Sequence, residues 1–436
     1  MAELNETHDP TRRSWVESAN GTDTDFPVQN LPFGVFRRAG GEAHGGVAIG
    51  DQILDLAAAV QAGVFIGNGD VAAQAAAAAG DRMNPLMALD RPMVSALRRR
   101  LSDLLRVDGP DDVRSRGDRL LVPMAEASME LPAAIGDYTD FSCSTHHMMR
   151  MGGGTVRPVF LHLPVGYHGR ASSLRVSGAE VSRPLGQVAG KDGPPVFGPE
   201  PQLDFELEFA AFVGRGNALG QPIPIGEAEE HIFGYCLLND WSARAMQFFE
   251  MALGPFLGKS FVTTISPWIV TQEAMAPFRT AAFVRPEADP PIPDYLHAEA
   301  DRREGGLEVR LETFLSTEGM RRRGDPAQRI VATNFRHIYW TLAQMLAHHA
   351  SNGCDLRPGD LFASGTVSGP ENEAKACLME ANERGTRALS LPGGETRLWL
   401  EDGDEVQIRG RAEREGFVSI GFGACDGRVV PAEAVR

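Results

Sequence analysis

The chain is 436 residues long and has only five cysteines: Cys143, Cys236, Cys354, Cys377 and Cys425. They are scattered and odd in number, and no pair has zinc-ligand or redox spacing. That excludes a disulfide-built scaffold and predicts reduced thiols in a cytoplasmic protein. No apolar run reaches the roughly 18 residues that a membrane span needs. The opening MAELNETHDPTRRSW is polar throughout, so no secretory signal is expected. Positive charge is scarce as well: 42 Lys and Arg stand against 58 Asp and Glu, for a net charge of −16. That balance argues against nucleic acid or an anionic membrane as partner. It leaves room for an anionic small molecule in a local basic pocket.

What is present is the composition of a soluble globular protein, 43% apolar and 23% charged. The length suggests about two or three domains. Residues 14–60 hold short apolar runs broken by Gly and Pro, such as FPVQNLPFGVF and GGVAIGDQILDL, and read as a small β domain. Residues 55–106 are Ala-rich with helical spacing and end in MVSALRRRLSDLLRV, whose arginines are expected on a solvated face. From about residue 130 the texture turns to strands and glycine. One helix is predicted over 334–353, capped by Asn334 and stopped at Gly353, with Ile338, Leu342, Met345 and Leu346 on one face. His348 and His349 fall in its last turn, where a cation suits the helix dipole, and read as structural. The Pro-rich, charged stretch 284–306 reads as a surface excursion.

Four segments carry chemistry. Residues 137–147, DYTDFSCSTHH, place Asp140 before the adjacent pair His146–His147, only one of which can point into a given site. LDFELEFAAFV (203–213) alternates, with Phe205, Leu207, Phe209 and Ala211 on one face and Asp204, Glu206, Glu208 and Ala210 on the other. A half-exposed strand would look similar, but the acidic face continues into Ala210 and Phe212. In YCLLNDWSARAMQFFE (235–250), Asp240 ends an apolar run, and Arg244 and Gln247 follow on roughly one helical face. In LGPFLGKSFVTTISPW (253–268), Lys259 lies in an apolar loop, where a cation is costly unless paired. Together, Asp140, Glu206, Glu208 and Asp240 form the type of oxygen set that hard cations prefer, Mg²⁺ or Ca²⁺, with Lys259 and Arg244 offsetting the excess negative charge. Spacing does not itself bring the four segments together.

These residues belong to longer stretches that resemble the fumarylacetoacetate hydrolase family: DFPVQNLPFGVF (25–36), GVAIGDQILDL (46–56), GDYTDF (136–141), LHLPVGYHGRASS (161–173), HIFGYCLLNDWSAR (231–244), LGPFLGKSF (253–261), NGCDLRPGDLFASGTVSG (352–369) and DGDEVQIRG (402–410). They run in family order over nearly the whole chain. The resemblance implies a mainly β (α+β) fold. Residues 1–132 would form an SH3-like β-barrel, and residues 133–436 a mixed β-sandwich roll with few helices. It also implies a homodimer with a divalent metal, Mg²⁺ or Ca²⁺, on Asp140, Glu206, Glu208 and Asp240. A further cation site would use Asp240, Lys259 and Thr263. The general base matches His147 and its partner Glu380. Arg244, Gln247 and Lys259 match groups that hold reacting oxygens, and Tyr167 and Thr366 match substrate contacts.

The implied reaction is hydrolysis of a carbon–carbon bond in a β-diketo acid, 4-fumarylacetoacetate to fumarate and acetoacetate, in tyrosine and phenylalanine breakdown. Three departures touch the substrate end. Ser142 and Met251 stand where the family has tyrosines. The loop after the histidines is shorter, leaving Arg157, or else Arg150, for a substrate carboxylate. The alternatives are an acylpyruvate-type or other diketo-acid hydrolase or decarboxylase with a changed pocket, and a non-catalytic scaffold.

Overall fold

The computed structural model describes residues 3–433 apart from 68, 112 and 191. The glycine-broken runs near the N-terminus form the predicted strands, Phe33–Arg38, Ala43–Ile49 and Gln52–Asp55. Leu121–Pro123 and Ala127–Glu130 complete an antiparallel five-stranded sheet, with the 33–38 strand between 43–49 and 127–130. The Ala-rich region supplies the helices Leu56–Gln61, Val71–Ala78 and Arg91–Leu105. One arginine of the last helix departs from the solvated face expected of it. Arg98 is fully buried; it donates to Thr7 Oγ1 and the Gln29 carbonyl and lies 3.7 Å from Glu273. The partners come from residues 7, 29 and 273, which helical spacing cannot reveal.

The rest of the chain builds two larger mixed sheets. The first runs in the order Gly166–Gly169, Tyr138–Phe141, Leu361–Ala363, Leu207–Val213, Ile232–Asp240, Thr263–Ile265 and Leu174–Val176, with Val270–Thr271 also on the 232–240 strand. The second is built on Gln328–Asn334, Val309–Ser316, Glu405–Ala412, Cys425–Val430 and Glu180–Ser182. One core, with Phe209, Leu237, Leu311, Ile408 and Phe422, fills the space between the two sheets. A second core joins Ala210, Phe212, Leu238 and Ile265 on the back of the first sheet to Phe33, Val35, Leu97 and Leu101 of the N-terminal region. The 207–213 strand is therefore buried on both faces, as expected of a central strand between two layers.

The helix predicted over 334–353 is much shorter. Asn334 caps only a 3₁₀ turn, Phe335–His337, and the helix runs from Leu342 to Ala350. Its start is Thr341, whose hydroxyl accepts from Gln344 N while the Gln344 side chain accepts from Thr341 N. Tyr339 N donates to the Cys143 carbonyl and Trp340 Nε1 to Phe160 O, holding the preceding residues out of helix. His348 pairs with the Tyr295 hydroxyl at 2.9 Å and His349 with Thr139 at 2.7 Å. Burial pushes both imidazoles below their usual range, so they act as neutral hydrogen-bonding groups rather than as cations at the helix end. The 284–306 excursion is only partly surface: Leu296 is buried, and the Asp301 carboxylate accepts from Thr341.

Candidate active site

Register places three carboxylates on one sheet face. Glu208 lies opposite Leu238, so Asp240, two residues on, points the same way. Ala210 lies opposite Ala363, and Ala363 opposite Asp140. Asp140, Glu208 and Asp240 thus emerge at one end of the face whose other residues enter the core shared with the N-terminal region. One oxygen from each comes within 4.8 Å of the others, and all three residues are buried. Asp140 Oδ1 and Glu208 Oε2 have no hydrogen-bond partner among the described residues. Burial, then the neighbouring carboxylates, pushes Asp140 and Glu208 well above the usual carboxylate range. Buried, partly unpartnered hard oxygens fit a divalent cation of the Mg²⁺ or Ca²⁺ type.

Glu206 is set apart. It precedes the strand proper, bridging to Cys377 across the sheet edge. Lys259 Nζ donates to Glu206 and to Asp240 Oδ2, and also to Ser242 Oγ at 2.8 Å. Arg244 Nη2 donates to Glu206 Oε1 at 2.9 Å. Burial opposes its charge, but Arg244 and Lys259 hold the Glu206 carboxyl well below the usual range. The same carboxylates overcome the desolvation of Lys259 and push its ammonium up. Thr263 Oγ1 reaches Asp240 Oδ1 at 3.4 Å.

Local chain geometry holds the cations in place. Glu200 accepts from Ala245 N and Met246 N at the start of the helix Arg244–Glu250, where a carboxylate suits the dipole. Arg244 Nη1 donates to Gln247 Oε1 at 3.2 Å. Glu250 accepts from Phe256 N and Gly258 N, ordering the loop that carries Lys259. A side chain at Gly258 would come within 2.8 Å of the Gln247 backbone, so loop and helix meet only because that residue is glycine.

The histidine pair separates. Ser144 caps the helix Thr145–Met151 by accepting from His147 N. His147 is buried, with Nδ1 3.3 Å from Glu380 Oε1 and Nε2 3.7 Å from Glu206 Oε1. His146 turns away, its ring 6.2 Å from that of His337. Glu380 Oε2 accepts from Ser368 Oγ at 2.5 Å and from Ala376 N at 3.0 Å. Burial favours its neutral form, yet His147, the Ser368 hydroxyl and Arg150 hold Glu380 below its ordinary range.

Asp204 is a site residue whose role the strand alternation alone does not disclose. Its carboxylate accepts from Arg244 Nε at 2.9 Å and from the backbone N–H groups of Leu378 and Met379. It therefore ties the arginine beside Glu206 to the start of the helix Leu378–Ala381 that carries Glu380. Its signal in the sequence is its place on the same face as Glu206 and Glu208.

The residues expected to meet substrate are less uniformly assembled. The Tyr167 hydroxyl donates to Asp240 Oδ2 at 3.0 Å; burial, then the nearby carboxylates, raises its phenol, which stays a donor. Thr366 is buried, following Gly365, whose positive φ of 77° lets the chain pass beside the Phe141 carbonyl. Ser142 Oγ lies 3.4 Å from Met148 Sδ. Met251 is half exposed, and Arg157 is exposed on the surface. Arg150 instead donates to the Gly369 carbonyl at 2.8 Å and lies 3.5 Å from Glu380 Oε1, the carboxylate oxygen that also faces His147 Nδ1.

Residues 29–132 match the fumarylacetoacetase N-terminal family, and residues 137–430 match the fumarylacetoacetate (FAA) hydrolase C-terminal family. A fumarylacetoacetase from Oryza sativa subsp. japonica is 46% identical over 435 residues, covering 96% of this chain and 97% of that protein. One from Homo sapiens is 46% identical over 430 residues, covering 94% and 97%. Among solved structures, fumarylacetoacetate hydrolase from psychrophilic Exiguobacterium antarcticum shares the fold, with a TM-score of 0.50 at 17% identity over 92% of this chain and 100% of that one. The chain belongs to the fumarylacetoacetase family.

Proposed function

We propose that this chain hydrolyses 4-fumarylacetoacetate to fumarate and acetoacetate. The observation that carries the reading is the buried His147, backed by Glu380 on one nitrogen and facing the Glu206–Lys259–Arg244 cluster with the other. A neutral imidazole with its proton on Nδ1, toward Glu380, leaves Nε2 free to take a proton from water. Glu380 fixes that tautomer and stabilises the imidazolium that follows, as the carboxylate does in a His–acid pair. The hydroxide adds to the carbonyl carbon next to the bond to be broken, and the oxyanion forms within reach of Lys259, Arg244 and Gln247. The carbon–carbon bond then breaks, its electron pair passing into an enolate. The proton held by His147 returns to that carbon. Removing one preorganised donor from such a site costs about 10²–10³ in rate.

A Mg²⁺ or Ca²⁺ held by Asp140, Glu208 and Asp240, with Glu206 at its edge, would supply Lewis-acid charge for the diketone oxygens. Thr263 and Lys259 are read as completing the second cation site around Asp240. Tyr167 and Thr366 are read as substrate contacts. The hydroxyl of Ser142 and the half-exposed Met251 favour a second reading at the substrate end, a related diketo acid such as an acylpyruvate. Arg150 or Arg157 would then meet its carboxylate.

The first 132 residues are read as an SH3-like unit, supported by their five-stranded antiparallel sheet. A homodimer is supported by the exposed Phe248, Phe249, Leu253, Phe256 and Leu257 beside the site. Five free cysteines support a cytoplasmic setting, and no helix among the described residues is long and apolar enough to cross a membrane.

The test is a panel of 2,4-diketo and 3,5-diketo acids offered with Mg²⁺ or Ca²⁺, following loss of the diketone absorbance. Cleavage of fumarylacetoacetate, abolished by His147→Ala with metal binding retained, is the expected result. Decarboxylation without carbon–carbon hydrolysis, or persisting turnover in His147→Ala, would overturn it.

A further inference from the structure

A second group of potential ligands lies outside the hard-oxygen trio. His147, Cys377 and Glu380 are all buried, and one ligand atom from each lies within 4.8 Å of the others. Its chemistry differs from that of the trio. One thiol, one imidazole and one carboxylate form a mixed sulfur, nitrogen and oxygen set, which Zn²⁺ prefers and Mg²⁺ does not.

The spacing fits a zinc-sized ion. Zn–N and Zn–O bonds of about 2.0 Å and a Zn–S bond of about 2.3 Å at tetrahedral angles put neighbouring ligand atoms about 3.3–3.5 Å apart. In the structure His147 Nδ1 lies 3.3 Å from Glu380 Oε1 and Cys377 Sγ 3.8 Å from the other oxygen, Oε2, so a carboxylate bound through both oxygens would face both partners, with one atom of each residue already within 4.8 Å of the others. A second, independent observation points to a ligand. Nδ1 of His147, a residue 5% exposed, has no well-directed hydrogen bond among the described residues despite the nearby carboxylate. The surroundings hold the three in register. Cys377 pairs with Glu206 through a β-bridge and caps the helix Leu378–Ala381, so thiol and carboxylate sit one turn apart. Ser368 and Ala376 N fix the orientation of Glu380. One cation, Arg150, lies 3.5 Å from Glu380 Oε1 and would have to yield that oxygen.

We propose that His147, Cys377 and Glu380 form a Zn²⁺ site that switches the hydrolase off. Binding forms a Zn–S bond as the Cys377 S–H bond breaks and its proton leaves to solvent. It also forms a bond to His147 Nδ1, and the imidazole proton moves to Nε2. The inhibition rests on the reading of His147 as the base, because Nε2 is the atom that must be unprotonated to accept the proton of water. The binding itself does not rest on it.

The test uses the full chain saturated with Mg²⁺, with Co²⁺ as a spectroscopic probe and Zn²⁺ as the inhibitor. Co²⁺ bound to a thiolate gives an intense near-ultraviolet sulfur-to-metal charge-transfer band, which an all-oxygen site does not. The expected result is one such band per chain, bleached by one equivalent of Zn²⁺ and absent in both Cys377→Ser and Cys377→Ala. Turnover of the wild type falls at least tenfold on adding Zn²⁺, whereas both variants keep their basal rate and resist Zn²⁺ at least tenfold better. No charge-transfer band in the wild type, or a band that survives both substitutions, overturns the site. A band that behaves as expected while turnover is unaffected by Zn²⁺ leaves the site standing and overturns the inhibition, and with it the assignment of His147 as base.

Discussion

Glu206 and Glu208 lie two residues apart on one segment, both buried, and their electrostatics run in opposite directions. Glu206 meets Arg244 and Lys259 and stays ionised well below the usual range. Glu208 meets Asp140 and Asp240 and is pushed well above it. Burial raises both; the sign of the neighbouring charge decides the outcome. One carboxylate is therefore already neutralised by the protein, and the other awaits a cation.

Four experiments would break or sharpen that contrast. The largest effect is expected from Lys259→Met, which leaves Glu206 and Asp240 short of their shared cation. Removing one partner of a buried ion pair costs about 3–5 kcal/mol, read as a drop in the urea midpoint, and turnover should fall at least 10²-fold. The second experiment pairs Glu206→Gln with Glu208→Gln in the metal-free protein. The first should destabilise by about 3 kcal/mol, because Arg244 and Lys259 lose a partner. The second should be neutral or stabilising, because it removes a repelled carboxylate, while Mg²⁺ or Ca²⁺ affinity by titration calorimetry falls at least tenfold. Equal effects of the two on stability would end the contrast.

The third experiment is pH dependence. Asp140 and Glu208 have folded values raised above the unfolded 3.8 and 4.5, so above about pH 4 the folded state holds more protons than the unfolded one. Metal-free stability should therefore fall as pH rises from 5 to 8, by at most about 1.4 kcal/mol per pH unit for each proton involved. Glu206 has the opposite sign: its contribution is present above 4.5 and is lost only as pH falls through its depressed folded value. It adds no slope in that window. Saturating Mg²⁺ should flatten the curve, and a metal-free curve that rises with pH would refute the assignment. The smallest effect is expected from Ser368→Ala, which removes one donor to Glu380 at a cost of about 1 kcal/mol. That amounts to a several-fold fall in kcat with KM unchanged.

The buried carboxylates, Lys259 and His147 were more legible in the sequence as one cluster than the residues expected to meet substrate. Asp140, Asp240 and Lys259 sit in family-like stretches, the alternation of 203–213 already separated the face that carries Glu208, and His147 follows Asp140 in DYTDFSCSTHH. The same stretches do not reveal that Arg98 is buried, since its partners lie 69 to 175 residues away in the chain. They do not show Asp204 joining Arg244 to the Glu380 helix. The overlong helix at 334–353 has a local cause: apolar spacing continues through Ile338, but backbone and indole donors of Tyr339 and Trp340 are taken by distant carbonyls. The Thr341–Gln344 capping box was the readable start signal.

The shared core behind the first sheet ties the two halves of the molecule together. Ala210 and Leu238 sit on the same strands and face as Glu208 and Asp240, and they pack into the cluster that holds Phe33, Val35 and Leu97. Asn30 Nδ2 further donates to the Gly421 carbonyl at 2.8 Å. The carboxylates that would hold the cation are thus cantilevered from a wall whose other side belongs to the N-terminal lobe. Melting should be cooperative, a single transition in which catalytic competence and the N-terminal sheet are lost together. A cavity opened at Val35 or Leu97 would then lower the one temperature at which both the N-terminal sheet and metal affinity are lost.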